Sequence, residues 1–567
     1  MGHSWPTLDA SCAETVSETG SHLRNILKDA LGSVGIQSSS LSYGSLRFRF
    51  LDSLFAKLVV SAVAGAAVGF ALVWGGRWWL GSVIGIGALY TSVRGASRLR
   101  AISVGLVSGA AVFGISSEWS RLFGAHAYLS LVAALSLFWV ACVVVASFAR
   151  SEVQSLLLGP SAIVLAELFR TRFPLGGYGL ATVSNTQIDG PLSRAAVVVG
   201  SAGVSGLAAA LGIAVVTLLT KALSSGFSRI KGRSKGFVSS VVVSLGCVII
   251  ALGPLFFPES KVGSRGSVDE LNDNSSSRKL RVAVVQVYDE NRPLSDDEEA
   301  RGALLTWLKT ETEKSAVARP ELVVWPEASL GSHLLEGESM AARAVREATS
   351  KTGASLIANG QPLGGSLDRF VNRNYFFSYT GRLEMVSDKE KLVPFGEYVP
   401  WRSALQPRIR SLERIPIDGE PGQWRLFRLG EIGIGSVICF ESTFSYYIRE
   451  RVRAGSEIIV VETNNRSFET SSLSRQHVSA SRMRAIETRR FVVHAALSGI
   501  SAVIRPDGSI LESAGLFERK VLLADVEPSG ALTPYVRFGD WAPGGLAAAS
   551  MILGLGARKR LRPEAKL

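Results

Sequence analysis

Long apolar runs with hardly a charge inside them dominate the first half of the chain. Seven follow in close succession and an eighth lies near the end of the sequence. Most of them approach the length of about 17–20 residues that a helix needs to cross a bilayer. Buried helices of a large soluble core are the alternative, but they would carry more charge, so the pattern predicts about eight membrane spans. The runs cover approximately 56–74, 78–93, 101–117, 127–148, 154–169, 195–220, 236–257 and 541–557.

The pattern changes after residue 280, where short β-rich apolar runs alternate with helical stretches. Alternation of this kind indicates a layered α/β domain. The runs are continuous rather than alternating in polarity, which is typical of a sheet covered on both faces. The predicted strands are RVAVVQV (281–287), ELVVWPEA (321–328), ASLIANG (354–360), IGIGSVICF (432–440), EIIVVET (457–463) and FVVHAAL (491–497).

The two patterns together predict an order of domains. A polar tail comes first, and a seven-helix membrane domain follows it. A Ser-rich linker then leads into the α/β domain, and a last membrane helix and a basic tail come after that domain. The predicted boundaries are 1–53 for the tail, 54–257 for the membrane domain, 258–279 for the linker, 280–540 for the α/β domain, 541–557 for the last helix and 558–567 for the basic tail.

Composition and charge agree with a membrane protein and suggest its orientation. Only 19% of the 567 residues are charged, the mean hydropathy is +0.25, and the net charge is +13. Lysine and arginine concentrate at 94–100, at 221–235 and after 557, which share one side if the apolar runs are eight spans. The positive-inside rule places that side, with both termini, in the cytoplasm and residues 280–540 outside. Topology thus accounts for the positive charge, and no nucleic-acid partner is expected.

Cysteine usage singles out one thiol. Cys142 and Cys247 lie in apolar runs, where cysteine behaves as a small hydrophobic residue, and Cys12 lies in the polar tail. Only Cys439 belongs to the α/β region. Neither C-x-x-C nor H-E-x-x-H occurs, so no metal and no cofactor is expected.

Three reactive side chains follow apolar strands, where open α/β sheets place their sites. Glu327 ends V-V-W-P-E, where poor solvation would raise its pKa towards that of a general base. Lys389 can stabilise an oxyanion, with Lys391 as a nearby competitor. Cys439, in S-V-I-C-F-E, is a candidate nucleophile. The alternatives are a helix-capping glutamate, a solvated lysine and a buried structural cysteine.

These motifs carry a resemblance to a known family. W-P-E, then K-x-x-L-V-P-F-G-E, then C-x-E resembles the nitrilase superfamily with its Glu-Lys-Cys triad. The apolar runs, together with FPLGGYG (173–179) and the stretches 476–490 and 533–541, resemble the apolipoprotein N-acyltransferase family, the membrane-embedded branch of that superfamily. The fold that this implies is a membrane α-helical bundle plus an extracytoplasmic αββα sandwich.

The resemblance also implies a function and roles. Glu327 would be the general base, Lys389 the oxyanion stabiliser and Cys439 the nucleophile, with Glu397 and Glu441 as supporting acids. The expected reaction moves an acyl chain from a phospholipid to the diacylglyceryl-cysteine of an apolipoprotein through a thioester, in a monomer of the bacterial inner membrane. The chain departs from the family at Phe440, often Tyr there, and at 463–468, which lacks the usual Trp.

Other interpretations remain open. A membrane-tethered nitrilase or amidase acting on a small amide or nitrile would use the same triad, and a non-enzymatic membrane scaffold would not use it. Residues 232–236 match the serine-hydrolase motif G-x-S-x-G, but no strand precedes them. Glu167 lies inside an apolar run, where an ionisable group is costly, and an ion pair with Arg170 is expected.

Overall fold

Apolar helices form the first part of the chain in the computed structural model, which describes residues 54–225, 278–288, 298–331, 339–363 and 369–560. Five of these helices are long and apolar enough to cross a membrane, whereas α2 and the apolar part of α13 (Trp541–Gly556) are shorter. The predicted run 236–257, the tail 1–53 and most of the linker lie outside the described residues. The helices are α1 (Leu54–Val73), α2 (Trp79–Val93), α3 (Arg98–Ser116), α4 (Ala125–Ser147), α5 (Glu152–Arg170), α6 (Ala196–Ser225) and α13 (Trp541–Arg560).

Small residues let these helices approach closely. A Cβ atom on Gly87 of α2 would lie 2.1 Å from the carbonyl oxygen of Gly212 in α6, so only glycine fits at this crossing. Ser136 of α4 leaves similarly little room at Gly109 of α3. In lipid the hydrophobic effect does not drive helices together, so van der Waals contact between closely spaced backbones stabilises their packing.

The second part of the chain forms two six-stranded mixed sheets. The strand order is β14-β1-β2-β3-β5-β6 in the first sheet and β13-β12-β11-β10-β9-β8 in the second. The strands are β1 (Leu280–Gln286), β2 (Leu322–Val324), β3 (Ser355–Gly360), β4 (Arg369–Phe370), β5 (Arg373–Phe377), β6 (Leu383–Asp388), β7 (Asp418–Gly419), β8 (Phe427–Leu429), β9 (Ile432–Ile438), β10 (Ile458–Thr463), β11 (Val492–Ala496), β12 (Ser501–Ile504), β13 (Ile510–Ala514) and β14 (Lys520–Val526).

The sheets pack face to face with helices outside both. Along β1, Val282 and Val284 enter the core between the sheets, whereas Ala283 and Val285 enter the core beneath the outer helices. The helices of this part are α7 (Glu298–Ser315), α8 (Met340–Thr352), α9 (Arg402–Leu405), α10 (Ser445–Arg453), α11 (Leu473–Thr488) and α12 (Pro534–Phe538). Since α7 and α8 cover one sheet and α10 and α11 the other, the predicted αββα sandwich beside a membrane-helical region is confirmed.

Helix α11 joins the sandwich to the membrane helices within the described residues from Leu58 onwards, which form one compact unit. The carboxylate of Glu487 accepts hydrogen bonds from the backbone N–H of Ser201 at 2.6 Å and from the hydroxyl of Ser445 at 2.7 Å. Its other oxygen lies 2.6 Å from Nε of Arg484, whose Nη1 donates to the carbonyl of Thr443. This buried pair therefore ties α6 to the segment that follows β9.

Candidate active site

The three predicted reactive residues follow three strands of the sandwich and meet at one place. Glu327 follows β2, Lys389 follows β6 and Cys439 follows β9. Trp325 fixes the first of these strand ends, because its fully buried indole donates a hydrogen bond to the hydroxyl of Thr312 in α7 at 2.9 Å. Residues 325–331 form turns rather than the start of a helix, so Glu327 does not cap a helix there.

Lys389 lies between two carboxylates. Its Nζ is 3.0 Å from the carboxylate of Glu397 and 3.7 Å from Oε1 of Glu327, and its side chain is 1% exposed. Burial alone would lower the pKa of Lys389, but the charges of Glu397 and Glu327 raise it above its usual value. The ammonium therefore stays charged at physiological pH. Burial raises the pKa of Glu327, against the opposing charge of Lys389, which brings this carboxyl closer to the pKa of a useful base.

Cys439 adopts a left-handed backbone conformation with φ of 52°. A non-glycine residue in this region is uncommon and marks a tight turn where the strand stops. Burial and the carboxylate of Glu327 raise the pKa of the thiol to about 12, whereas Lys389 and a hydrogen bond from Thr463 oppose the rise. The thiol is thus protonated at rest and requires a base.

Glu441 connects the turn at Cys439 with the loop that follows Lys389, called here the lysine loop. One of its oxygens accepts a hydrogen bond from the N–H of Ile438, immediately before the cysteine. The other accepts from the N–H groups of Glu390 and Lys391, immediately after Lys389, and from the hydroxyl of Tyr447. Glu441 is 1% exposed, so its bonds lie away from solvent. It acts on the site by holding two backbone segments together.

A set of buried asparagines was missed by the sequence analysis. Nδ2 of Asn372 donates to Glu327 and to Glu397, each at 2.9 Å. Asn359 donates in turn to Asn372 and Asn374. This amide network fixes the two carboxylates around Lys389. Asn372 lies between β4 and β5, and its approach to Glu327 depends on the order of strands in the sheet, which no local motif encodes.

Glu462 is a further buried acid that the sequence analysis left without comment. It lies on β10 between the sheets, fully buried, and contacts Ser436 at 3.0 Å and Asn374 at 2.9 Å. Burial raises the pKa of Glu462 to about 8, against the hydrogen bonds from Ser436 and Asn374. Its signal in the sequence was a single acidic residue inside an otherwise apolar strand.

Replacing Glu462 with glutamine is expected to stabilise the protein at high pH. The carboxyl has an ordinary pKa of 4.5 and a folded pKa of about 8, so the folded state holds the proton more tightly and loses stability as pH rises between these values. The difference of about 3.5 between these two pKa values corresponds to at most about 5 kcal/mol of folding free energy. The unfolding midpoint of Glu462→Gln should exceed that of the wild-type protein by a margin that grows from pH 5 to pH 7 to pH 9. Glu431→Gln, the same change at an exposed position, should show no such gain. An equal gain at every pH would contradict this explanation.

Lys391, the competitor of Lys389, points elsewhere. Its Nζ donates to the carbonyl of Gly176 at 2.7 Å and lies 4.5 Å from the ring centre of Phe444. Gly176 belongs to the loop that follows α5, so this lysine joins the sandwich to the membrane helices. A cavity of about 420 Å³ lies here, lined by Phe440, the residue after Cys439, and by Tyr398. The site therefore borders the loop on the membrane side.

Glu167 and Arg170 each form a hydrogen bond with the backbone rather than with each other. Oε1 of Glu167 accepts from the backbone N–H of Val183 at 2.7 Å, and Nη2 of Arg170 donates to the carbonyl of Ala181 at 3.1 Å. Both groups therefore fix the loop after α5 to the end of that helix. Among the described residues, no group of three His, Cys, Asp or Glu side chains is placed to hold a metal ion.

Two family descriptions match the chain, and together they cover both of its parts. Residues 281–533 match carbon-nitrogen hydrolases. Residues 61–214 match the N-terminal domain of apolipoprotein N-acyltransferases. The first range coincides with the two-sheet sandwich and the second with the membrane helices.

Curated relatives extend over nearly the whole sequence. An apolipoprotein N-acyltransferase of Pseudomonas aeruginosa is 27% identical over 532 residues, covering 89% of this chain and 96% of the relative. One from Wigglesworthia glossinidia brevipalpis is 23% identical and covers 82% of this chain and 91% of the relative. One from Geobacter metallireducens is 34% identical over 255 residues, which are 44% of this chain and 48% of that protein.

Two solved structures each match a little less than half of the chain. An amidase from Nesterenkonia sp. is 16% identical and covers 45% of this chain and 93% of its own, with a TM-score of 0.33. Saccharomyces cerevisiae Nit3, a member of branch 10 of the nitrilase superfamily, is 18% identical and covers 44% of this chain and 91% of its own, with a TM-score of 0.35.

Proposed function

Since the chain belongs to the apolipoprotein N-acyltransferase family, we propose that it transfers an acyl chain from a phospholipid to the N-terminal diacylglyceryl-cysteine of apolipoproteins through a thioester on Cys439. The observation that carries this mechanism is the meeting of a carboxyl, an ammonium and a thiol at three strand ends. Acyl transfer through a covalent intermediate needs a base, an oxyanion stabiliser and a nucleophile, and these groups supply the three.

In the first half-reaction, Glu327 takes the proton of Cys439 and the thiolate attacks the ester carbonyl of the phospholipid. The bond from sulfur to carbon forms as the carbonyl oxygen becomes negative beside the ammonium of Lys389. The ester oxygen then leaves as the alcohol of a lysophospholipid and takes the proton from Glu327. Glu397 and Asn372 keep Lys389 and Glu327 in place during this sequence.

In the second half-reaction, the α-amine of the diacylglyceryl-cysteine attacks the thioester carbonyl. Glu327 accepts the proton that the amine loses, and Lys389 again faces the oxyanion. The bond from carbon to sulfur breaks, and the thiolate recovers a proton from Glu327. The products are an amide on the lipoprotein and a free Cys439.

The arrangement of the two parts favours a lipid donor over a small amide or nitrile. Extracting a lipid substrate into water would cost about 0.8 kcal/mol of free energy for each CH₂ group that becomes exposed. Here the cavity beside Phe440 includes Leu175 and Gly176 from the loop that follows α5. A membrane-tethered amidase would need only one helix as an anchor. It would not need a loop of the membrane domain beside its active site.

The proposed topology and domain boundaries follow the sequence. Residues 54–257 and 541–557 lie in the bacterial inner membrane, and residues 280–540 lie on its extracytoplasmic side. The basic stretches at 94–100 and 221–235 then face the cytoplasm, in agreement with the positive-inside rule. The chain acts as a monomer, because every side chain that the mechanism uses comes from one copy.

A single experiment tests both the reaction and its side. Spheroplasts that contain this chain in place of the host acyltransferase receive a diacylglyceryl lipopeptide from outside. Mass spectrometry should show the lipopeptide gaining one amide-linked acyl chain, together with a lysophospholipid in the membrane. Spheroplasts that lack the chain are the control and should give no such product.

Two outcomes would contradict the proposal. Release of ammonia from small amides without lipopeptide acylation would favour the amidase. Acylation by inverted vesicles but not by spheroplasts would place the site on the cytoplasmic side.

A further inference from the structure

Thr463 ends β10 directly beside the nucleophile. Strands β9 and β10 are parallel and Glu462 pairs with Ile438, so Thr463, the last residue of β10, lies beside Cys439, the first residue after β9. Thr463 is fully buried, and its Oγ1 lies 3.3 Å from Sγ of Cys439. The mechanism above gives this hydroxyl no role.

The hydroxyl proton has three acceptors within reach. Besides Sγ, these are Oδ1 of Asn465 at 3.0 Å and Nδ1 of His477 at 3.4 Å. Nε2 of His477 lies 2.9 Å from the carbonyl oxygen of Cys439, which can only accept, and 2.9 Å from the hydroxyl of Ser442. Since Ser442 donates its own proton to that carbonyl, both partners can accept from Nε2, and we assign the imidazole proton to Nε2. Burial lowers the pKa of His477 to about 4, so the ring is neutral and Nδ1 is an acceptor.

Competition among these acceptors depends on the charge of the sulfur. A neutral thiol is a weak acceptor, so in the resting enzyme the amide oxygen of Asn465 is the stronger partner. A thiolate is anionic, and hydrogen bonds to ionised groups are about twice as strong as neutral ones. Rotation of the hydroxyl about its C–O bond exchanges the two arrangements.

We propose that Thr463 is a catalytic residue that directs its proton to Sγ whenever the sulfur carries negative charge. It does so twice in each cycle, when Glu327 deprotonates the thiol before the bond to carbon forms and when that bond breaks and returns its electron pair to sulfur. No proton leaves Thr463 in either step. The inference rests on the proposed role of Cys439 as the nucleophile.

Other groups that face the sulfur set the background for this effect. Glu327 from the end of β2 and Glu397 from the lysine loop disfavour a thiolate, whereas Lys389 favours it. His477 of α11 is neutral. Replacing Thr463 with valine leaves all four in place and removes one donor, so the difference between the two proteins isolates the hydroxyl.

The test measures alkylation of Cys439 by iodoacetamide in the purified full chain between pH 7 and 10. Mass spectrometry of the Cys439 peptide separates this thiol from the other cysteines. Thr463→Val should react about tenfold more slowly at each pH below the pKa of the thiol, because it has lost a bond to a charged acceptor. Thr463→Ser keeps a hydroxyl and should follow the wild-type curve. Thr349→Val removes a buried helical hydroxyl in α8 and should change nothing.

Two results would overturn the proposal. One is a valine curve that superimposes on the wild-type curve, and the other is a serine curve that falls as far as the valine curve. If Thr463→Val unfolds in detergent, Thr463→Ala lacks the same hydroxyl and is measured instead. Alkylation of Cys439 does not depend on acyl transfer. The test therefore still reports on Thr463 if Cys439→Ala retains acyltransferase activity, a result that would exclude Cys439 as the nucleophile.

Discussion

Replacing Cys439 with alanine is expected to lower acyl transfer by at least about 10⁴-fold, because removing the nucleophile of a covalent mechanism leaves only binding and oxyanion stabilisation. Incubation of the purified wild-type protein with a phospholipid that carries a labelled acyl chain should leave label on the protein. Hydroxylamine should release that label, as expected for a thioester. The alanine variant should acquire none and should form no acylated lipopeptide.

A second cysteine supplies the matched control. Cys142 is buried in α4, where its thiol lies 3.4 Å from the carbonyl oxygen of Ala162. Cys142→Ala should keep both the label and the activity. Acyl transfer that persists in Cys439→Ala would remove the proposed nucleophile, and label that survives hydroxylamine would exclude a thioester.

Replacing Lys389 with methionine is expected to reduce both activity and stability. Loss of one oxyanion-stabilising donor commonly costs about 10²–10³-fold in rate. The change also leaves the carboxylates of Glu327 and Glu397 facing each other without the buried cation that separates them. Breaking a buried ion pair in this way costs about 3–5 kcal/mol.

A double variant separates these two effects. Lys389→Met combined with Glu397→Gln removes the cation and one of the two negative charges, so the repulsion with Glu327 disappears. Its unfolding midpoint in detergent should recover most of the loss, whereas acyl transfer should stay as low as in the single variant. Recovery of activity together with stability would show that Lys389 has a structural role only.

The positions of Glu327 and Cys439 were accessible from the sequence because each follows an apolar, buried strand. Lys389 was accessible through its K-x-x-L-V-P-F-G-E motif instead, because β6 before it is polar and partly exposed. Runs such as IGIGSVI bury both faces, and the chain then leaves the sheet at Cys439, with φ in the left-handed region. The strand before Glu327 was predicted too long, at 321–328. In the structure β2 ends at Val324, and the indole of Trp325 binds the hydroxyl of Thr312.

The groups that support the three predicted residues were not accessible in the same way. Asn372 reaches Glu327, and Asn359 reaches Asn372, only because β3 and β5 are neighbours in the sheet, and this pairing is non-local. The contact of His477 with the carbonyl of Cys439 depends in the same way on how α11 lies on the second sheet. Local motifs carry no information on such contacts, whereas the apolar periodicity that produces strands and helices is local.

The bonds of Glu441 have a consequence for how the site moves. One carboxylate holds the N–H before Cys439 and two N–H groups after Lys389, although about 50 residues separate these segments along the chain. A shift of either segment would stretch or break bonds to this one carboxylate, so the two segments are expected to move together. Coupling of this kind would preserve the spacing between Sγ of Cys439 and Nζ of Lys389.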